Sequence, residues 1–176
     1  MDEIVKAALK KWPNVPACYG WLALDARGDW YMRDDRVQAA GPFPRIKGSR
    51  IQHAKLIEFI GRNYARADDG AWFFQNGPQR VYVELEAAPQ VWRVAPHDLS
   101  IASHTGAAAR ATSAWLDEHG RLFLDSDIGL GLVHTQDMDD AARAVESGLW
   151  QPVSIEAAQM PARFGFVPSP QRLHPH

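Results

Sequence analysis

One phrase is written twice in this chain. Residues 81–94 read VYVELEAAPQVWRV, and residues 153–167 read VSIEAAQMPARFGFV. Each holds an alternating run with a carboxylate, a stretch of small residues, a proline, and a second apolar run ending in valine. Upstream of each phrase stands a matching hairpin pattern, LDARGDWYM at 24–32 and LDEHGRLFL at 116–124. In both, an aspartate and a glycine bracket a turn that leads into an apolar or aromatic strand.

Between hairpin and phrase, each half carries one helical pattern. In the first, residues 49–65 place Ile51, Leu56, Phe59 and Ile60 at helical spacing with Ser49 as the expected N-cap. In the second, residues 134–148 place Met138, Ala141, Ala142 and Val145 on one stripe. There Thr135 is the expected N-cap, Asp137 and Asp139 lie in the first turn, and Gly148 follows the end. A β-β-α-β unit exposes an apolar sheet face that it cannot cover alone, so two such units cover each other or extend one sheet. The predicted fold is therefore α+β: two repeated β-β-α-β units, with mainly antiparallel sheets packed against one helix each. Pro89 and Pro161 each remove a ladder donor and are expected to turn a corner between two strands.

The expected boundaries are an N-terminal helix and connector (1–19), a first unit (20–94), a linker (95–112), a second unit (113–168) and a disordered tail (169–176). The N-terminal helix has Ile4, Val5, Ala8 and Leu9 on one side and ends at Trp12-Pro13. Residues 33–50 read as a polar, mobile loop, and a hairpin is expected through Asn76-Gly77.

Composition excludes more than it selects. A net charge of −2 supplies no basic field for a nucleic-acid backbone, so no nucleic-acid partner is expected. The single cysteine, Cys18, rules out an internal disulfide framework. No apolar run approaches membrane-spanning length, and the acid-containing start does not resemble a signal peptide, so a cytoplasmic location without membrane contact is the expectation. Seven tryptophans are the unusual count, spread along the chain as core anchors.

No chemical motif is complete. His134, Asp137, Asp139 and Asp140 form the densest polar cluster, but acids in a helix's first turn already answer its dipole. Residues 125–131, DSDIGLG, begin like a calcium loop and then lack its later ligands. Cys18 has no adjacent cation to activate it, and His97-Asp98 with His104 fall in the linker. No catalytic residue, metal or cofactor is expected. The surface with most binding character lies in the first unit: Trp30, His53, Arg62, Tyr64, Trp72, Phe74, Gln75, Asn76 and Gln79 combine aromatic rings with amides and a guanidinium.

These same residues carry a resemblance. Gly28 and Trp30 in the hairpin, Ile51 and His53 at the helix start, Gly70 and Trp72, then Val81, Val83 and Glu84 ahead of Ala88-Pro89 resemble the pattern of a bacterial family, the domain of unknown function 1285. The likeness covers about residues 20–94, and related uncharacterised proteobacterial proteins fit the chain end to end. The resemblance implies an α+β fold of repeated motifs, with ligand binding or signalling suggested, and it supplies no catalytic residues to carry over.

Two readings of function follow. The first is a non-catalytic module that senses a small ligand or binds a protein partner. The rival is a hydrolase-type or metal-dependent enzyme using His134, Asp137 and Asp140, or His53. A structural protein that forms a homodimer through its aromatic surface is a third reading.

Overall fold

The two hairpin patterns fold in the same way. In the computed structural model, which describes residues 1–174, Asp25 and Asp117 are both buried at the turn. The Asp25 carboxylate accepts the Asp29 N–H at 3.0 Å, and the Asp117 carboxylate accepts the Arg121 N–H at 2.8 Å. In each case the aspartate N–H returns a bond to the carbonyl of that same residue. Gly28 and Gly120 close the turns at φ 83° and 74°, where a side chain would be strained.

Along the chain the order is helix α1 (Glu3–Lys11), strands β1 (Cys18–Leu24) and β2 (Trp30–Met32), helix α2 (Asp35–Ala40), strand β3 (Ser49–Arg50) and helix α3 (Ala54–Arg62). Strands β4 (Tyr64–Arg66), β5 (Trp72–Asn76) and β6 (Gln79–Leu85) follow. Then come β7 (Gln90–Val94), β8 (Ile101–Ser103), β9 (Ala108–Ala109), β10 (Ala111–Leu116), β11 (Leu122–Ser126) and β12 (Gly131–Val133). Helix α4 (Met138–Glu146), strand β13 (Val153–Ser154), and helices α5 (Met160–Phe164) and α6 (Pro170–Leu173) complete the chain. The fold is α+β.

The chain divides into two units, the first holding Met1–Asp25, Asp29–Glu86 and the described residues 166–174, the second Ala26–Gly28 and Ala87–Gly165. The first unit's sheet runs β3-β2-β1-β6-β5-β4 and the second's β13-β10-β11-β12-β7-β8-β9. Both are mainly antiparallel, with parallel joins where β1 meets β6, β10 meets β13, and β12 meets β7.

In the first unit the period-2 alternation of the strands separates two faces. Leu22, Phe74 and Val81 share one face with α3, whose Phe59 meets Phe74 edge-on at 5.5 Å. The other face carries Phe73 and Tyr82, with Tyr19 stacked on Tyr82 at 4.7 Å and His174 on Tyr19 at 4.4 Å. In the second unit, Ala141 and Ala144 of α4 are fully buried against a core of Trp92, Leu124 and Val133. The Trp92 indole N–H is satisfied by the Leu124 carbonyl at 3.0 Å.

Several expected details are corrected. Ser49 starts no helix; it pairs with Met32 in a two-residue strand, and His53 caps α3 by accepting the Leu56 N–H at 3.3 Å. Likewise His134, not Thr135, caps the turn before α4, accepting from Gln136 N–H at 3.1 Å. The stripe of α4 buries Ala144 in place of Ala142, which is exposed.

The mobile loop expected at 33–50 instead contains α2 and the fully buried Arg33, whose guanidinium donates to the Gly41 carbonyl at 2.7 Å. Strand β7 joins the second unit's sheet rather than the first. Pro161 lies in the first turn of α5, where its missing N–H costs nothing, and among the described residues no second strand follows it. Residues 170–173 are helical rather than part of a disordered tail, and residues 175–176 lie outside the described chain. Among the described residues no helix is long and apolar enough to cross a membrane.

Candidate functional site

A groove of about 260 Å³ opens on the α3 face of the first unit. Its floor is Leu22, Phe74 and Val81 of the sheet, and its walls are Trp21 and Met32 on one side and Ile51, Leu56 and Ile60 on the other. Cys18, Asn76 and Gln79 are also in its lining. No charged side chain lines it. Two of the apolar walls stand in solvent, Trp21 at 36% exposure and Met32 at 51%.

Trp21 reaches the groove through an irregularity in β1. Successive strand residues point to opposite faces, yet Trp21 and Leu22 both line the same groove. The pairing of β1 with β6 shifts register between Cys18 and Leu22, and such a bulge re-aims a side chain. That irregularity explains why a pattern of alternation does not reveal Trp21. The polar end is better fixed. Asn76 begins the turn into β6, and Gln79 is held by donating to the Pro16 carbonyl at 3.2 Å.

The nine residues anticipated as a binding surface divide. Phe74, Asn76 and Gln79 are together in the groove. Trp30, Tyr64 and Trp72 form an aromatic cluster, with Trp30 and Tyr64 at 5.2 Å and Tyr64 and Trp72 at 4.8 Å. Trp30 and Trp72 are buried there as core anchors. Gln75 is buried, its amide donating to the Gly77 carbonyl at 3.0 Å. Arg62 is turned to Asp2 at 3.2 Å, and His53 serves as the cap of α3. Sequence reasoning missed Trp21, Met32, Ile51 and Leu56 as groove lining; Ile51 and Leu56 were read only as part of a helix's apolar stripe.

The residues of the enzyme reading are occupied structurally. The Asp137 carboxylate receives two bonds from Arg93, at 2.6 and 2.9 Å, and a third from the Val94 N–H at 2.9 Å. The Arg93 hydrogen bond foremost holds that carboxyl below its ordinary range. Asp140 pairs with Arg143 on the same helix at 2.6 Å. Burial pushes the Cys18 thiol up, away from the thiolate a nucleophile needs. His97 and Asp98 face each other at 3.6 Å in solvent. Among the described residues, no three His, Cys, Asp or Glu side chains are grouped to hold a metal ion.

A family model, DUF2944, described as a protein of unknown function (DUF2946), matches residues 1–171. The chain belongs to this family. It is also similar in structure to a DUF1285 family protein from Silicibacter pomeroyi DSS-3, at 15% identity and a TM-score of 0.50, over 80% of this chain and 83% of that one. A DUF1285 family protein from Shewanella baltica OS155 aligns at 19% identity and a TM-score of 0.46, over 70% of this chain and 91% of that one. The likeness to the Silicibacter protein concerns the fold, and there it agrees with the sequence resemblance. None of the curated proteins matches.

Proposed function

We propose that this member of the DUF2944 family is a non-catalytic binding module whose first unit takes an uncharged, largely apolar small molecule in the α3 groove. The carrying observation is the groove's lining: exposed Trp21 and Met32 over an apolar floor, with the amides of Asn76 and Gln79 as its polar groups. A concave apolar site with a few fixed polar groups is the usual form of a small-molecule site. A carboxylate or phosphate entering it would lose hydration without meeting a cation, so charged ligands are disfavoured. An amide offers both donor and acceptor, which suits a carbonyl, hydroxyl or amide on the ligand. A sensing role in signalling fits such a module, with the ligand as the signal.

The test is a thermal-shift screen of neutral aromatic and aliphatic metabolites, repeated on Trp21→Ala. A ligand at a hundred times its Kd adds about 2.7 kcal/mol, several degrees in Tm for a chain of this size. The shift is expected to vanish in Trp21→Ala, and the tryptophan fluorescence of the parent is expected to respond to the ligand while that of Trp21→Ala does not. Absence of any hit, or a shift that survives the substitution, overturns the assignment.

A further inference from the structure

Arg33 is fully buried, and its guanidinium spends its hydrogen bonds on main-chain carbonyls. It donates to Gly41 at 2.7 Å, to Ile46 at 3.3 Å and to Gly20 at 3.4 Å. Burial pulls its pKa down, and the Glu84 carboxylate offsets part of that without pairing with it. A buried cation is costly unless its donors are met. The planar fork of a guanidinium reaches carbonyls in several directions, which a lysine ammonium on its flexible stem does not reproduce. The three carbonyls mark three irregular places in the chain. Gly41 ends α2, Ile46 lies in the loop before β3, and Gly20 is in the interrupted stretch of β1.

That stretch is the one that delivers Trp21 to the α3 groove. Between Cys18 and Leu22 the pairing with β6 loses its register, and Gly20 stands there at φ 78°. Arg33 holds two consecutive residues of it. Its main-chain N–H donates to the Trp21 carbonyl at 2.9 Å, and its guanidinium donates to the Gly20 carbonyl. Successive carbonyls of a regular strand point to opposite sides, so one residue bonding both belongs to the irregular backbone here. The exposed Trp21 ring has no hydrogen bond and no stacked ring among the described residues. Its place therefore depends on how the backbone of residues 20 and 21 is held.

We infer that Arg33 is the positioning residue of the α3 groove, fixing through the main chain of residues 20 and 21 the bulge that holds Trp21 over the apolar floor. This rests on the reading of that groove as a small-molecule site. Arg33 is not in the groove lining. It acts by ordering the Trp21 wall before a ligand arrives, which removes part of the cost of binding.

The experiment titrates the neutral fluorescent probe phenylnaphthylamine at a temperature where circular dichroism shows every variant folded. Arg33→Lys keeps the charge and loses the fork, and should weaken binding about three- to tenfold. In a Trp21→Ala background the same change should cost nothing further, because the ring it positions is gone. A merely structural arginine would lower Tm and leave affinity alone, or weaken both backgrounds alike, and either result overturns the inference. No binding to the parent, or equal binding to Trp21→Ala, overturns the groove reading instead. Arg33 is then judged without ligand, by fluorine NMR of fluorotryptophan-labelled protein. The Trp21 resonance, assigned by its loss in Trp21→Phe, should move in Arg33→Lys toward its position in the denatured chain; an unmoved resonance overturns the inference. Where Arg33→Lys does not fold, the Arg33 Nε–H signal of the unsubstituted protein is read instead. Saturation with the probe should shift that signal, and an unmoved signal overturns the inference.

Discussion

His104 shows how one side chain sets a pH dependence. Its Nδ1 accepts the Val91 N–H at 3.2 Å, its Nε2 is shut away from solvent, and burial lowers its pKa to about 3. The unfolded chain takes up a proton near 6.5 while the folded chain resists it, so stability is lost as pH falls from 6.5 towards 3. The slope is at most about 1.4 kcal/mol per pH unit. His104→Asn keeps an acceptor for the Val91 N–H and removes the titration. Urea unfolding of the two proteins between pH 6.5 and about 4 should give a flatter dependence for the variant; parallel curves contradict it. Glu84, whose carboxyl burial pushes up, contributes a slope of opposite sign that is common to both proteins and cancels in the comparison. Neither environment is legible in sequence. A histidine in a linker pattern gives no sign that a neighbouring strand will enclose its ring.

Among the elements, α6 is the one whose attachment is most specific. Glu84 of β6 accepts the Ser169 hydroxyl and the Gln171 N–H, the latter at 2.9 Å, and Gln171 donates to Gln38 at 2.8 Å. Gly20 of β1 lies directly beneath. A Cβ there would come within 2.5 Å of the Gln171 side chain and 2.6 Å of the Gln38 oxygen, at a φ of 78°. Gly20→Ala should therefore cost at least about 1 kcal/mol from backbone conformation, plus a steric part. Only the steric part should be relieved in Gly20→Ala/Gln171→Ala, so a double-mutant cycle is expected to show coupling of about 0.5 kcal/mol or more. An additive cycle removes the contact from the explanation. At this scale local patterns were informative where local physics decides. The Asn76-Gly77 hairpin, the two Asp–Gly turns and α1 need only turn chemistry and helical periodicity. The second phrase misled because Pro161 is equally suited to a strand corner and to the first turn of a helix, and only packing chooses between them.

For the whole molecule, the decisive feature is a chain that leaves the first unit at Glu86 and returns to it at Phe166. Phe166 is buried there, and the Pro168 carbonyl accepts the Leu85 N–H at 2.8 Å. A chain ending at Gly165 should lose amide protection in β6 and on the Tyr82 face, while β11 and α4 keep theirs. Hydrogen exchange read by mass spectrometry checks this, and uniform loss across both units contradicts it. Composition, turn residues and the doubled hairpin pattern were enough to specify an α+β chain with paired hairpins, since those depend on contacts between near neighbours. They also placed Phe74, Asn76 and Gln79 on one surface, because a hairpin aligns them. The membership of β7 in the second sheet, the bulge that delivers Trp21 to the groove, and the return of residues 166–174 were decided in three dimensions. Each rests on pairing between segments far apart in sequence, where several partners satisfy the same backbone groups and the burial of the whole unit selects one.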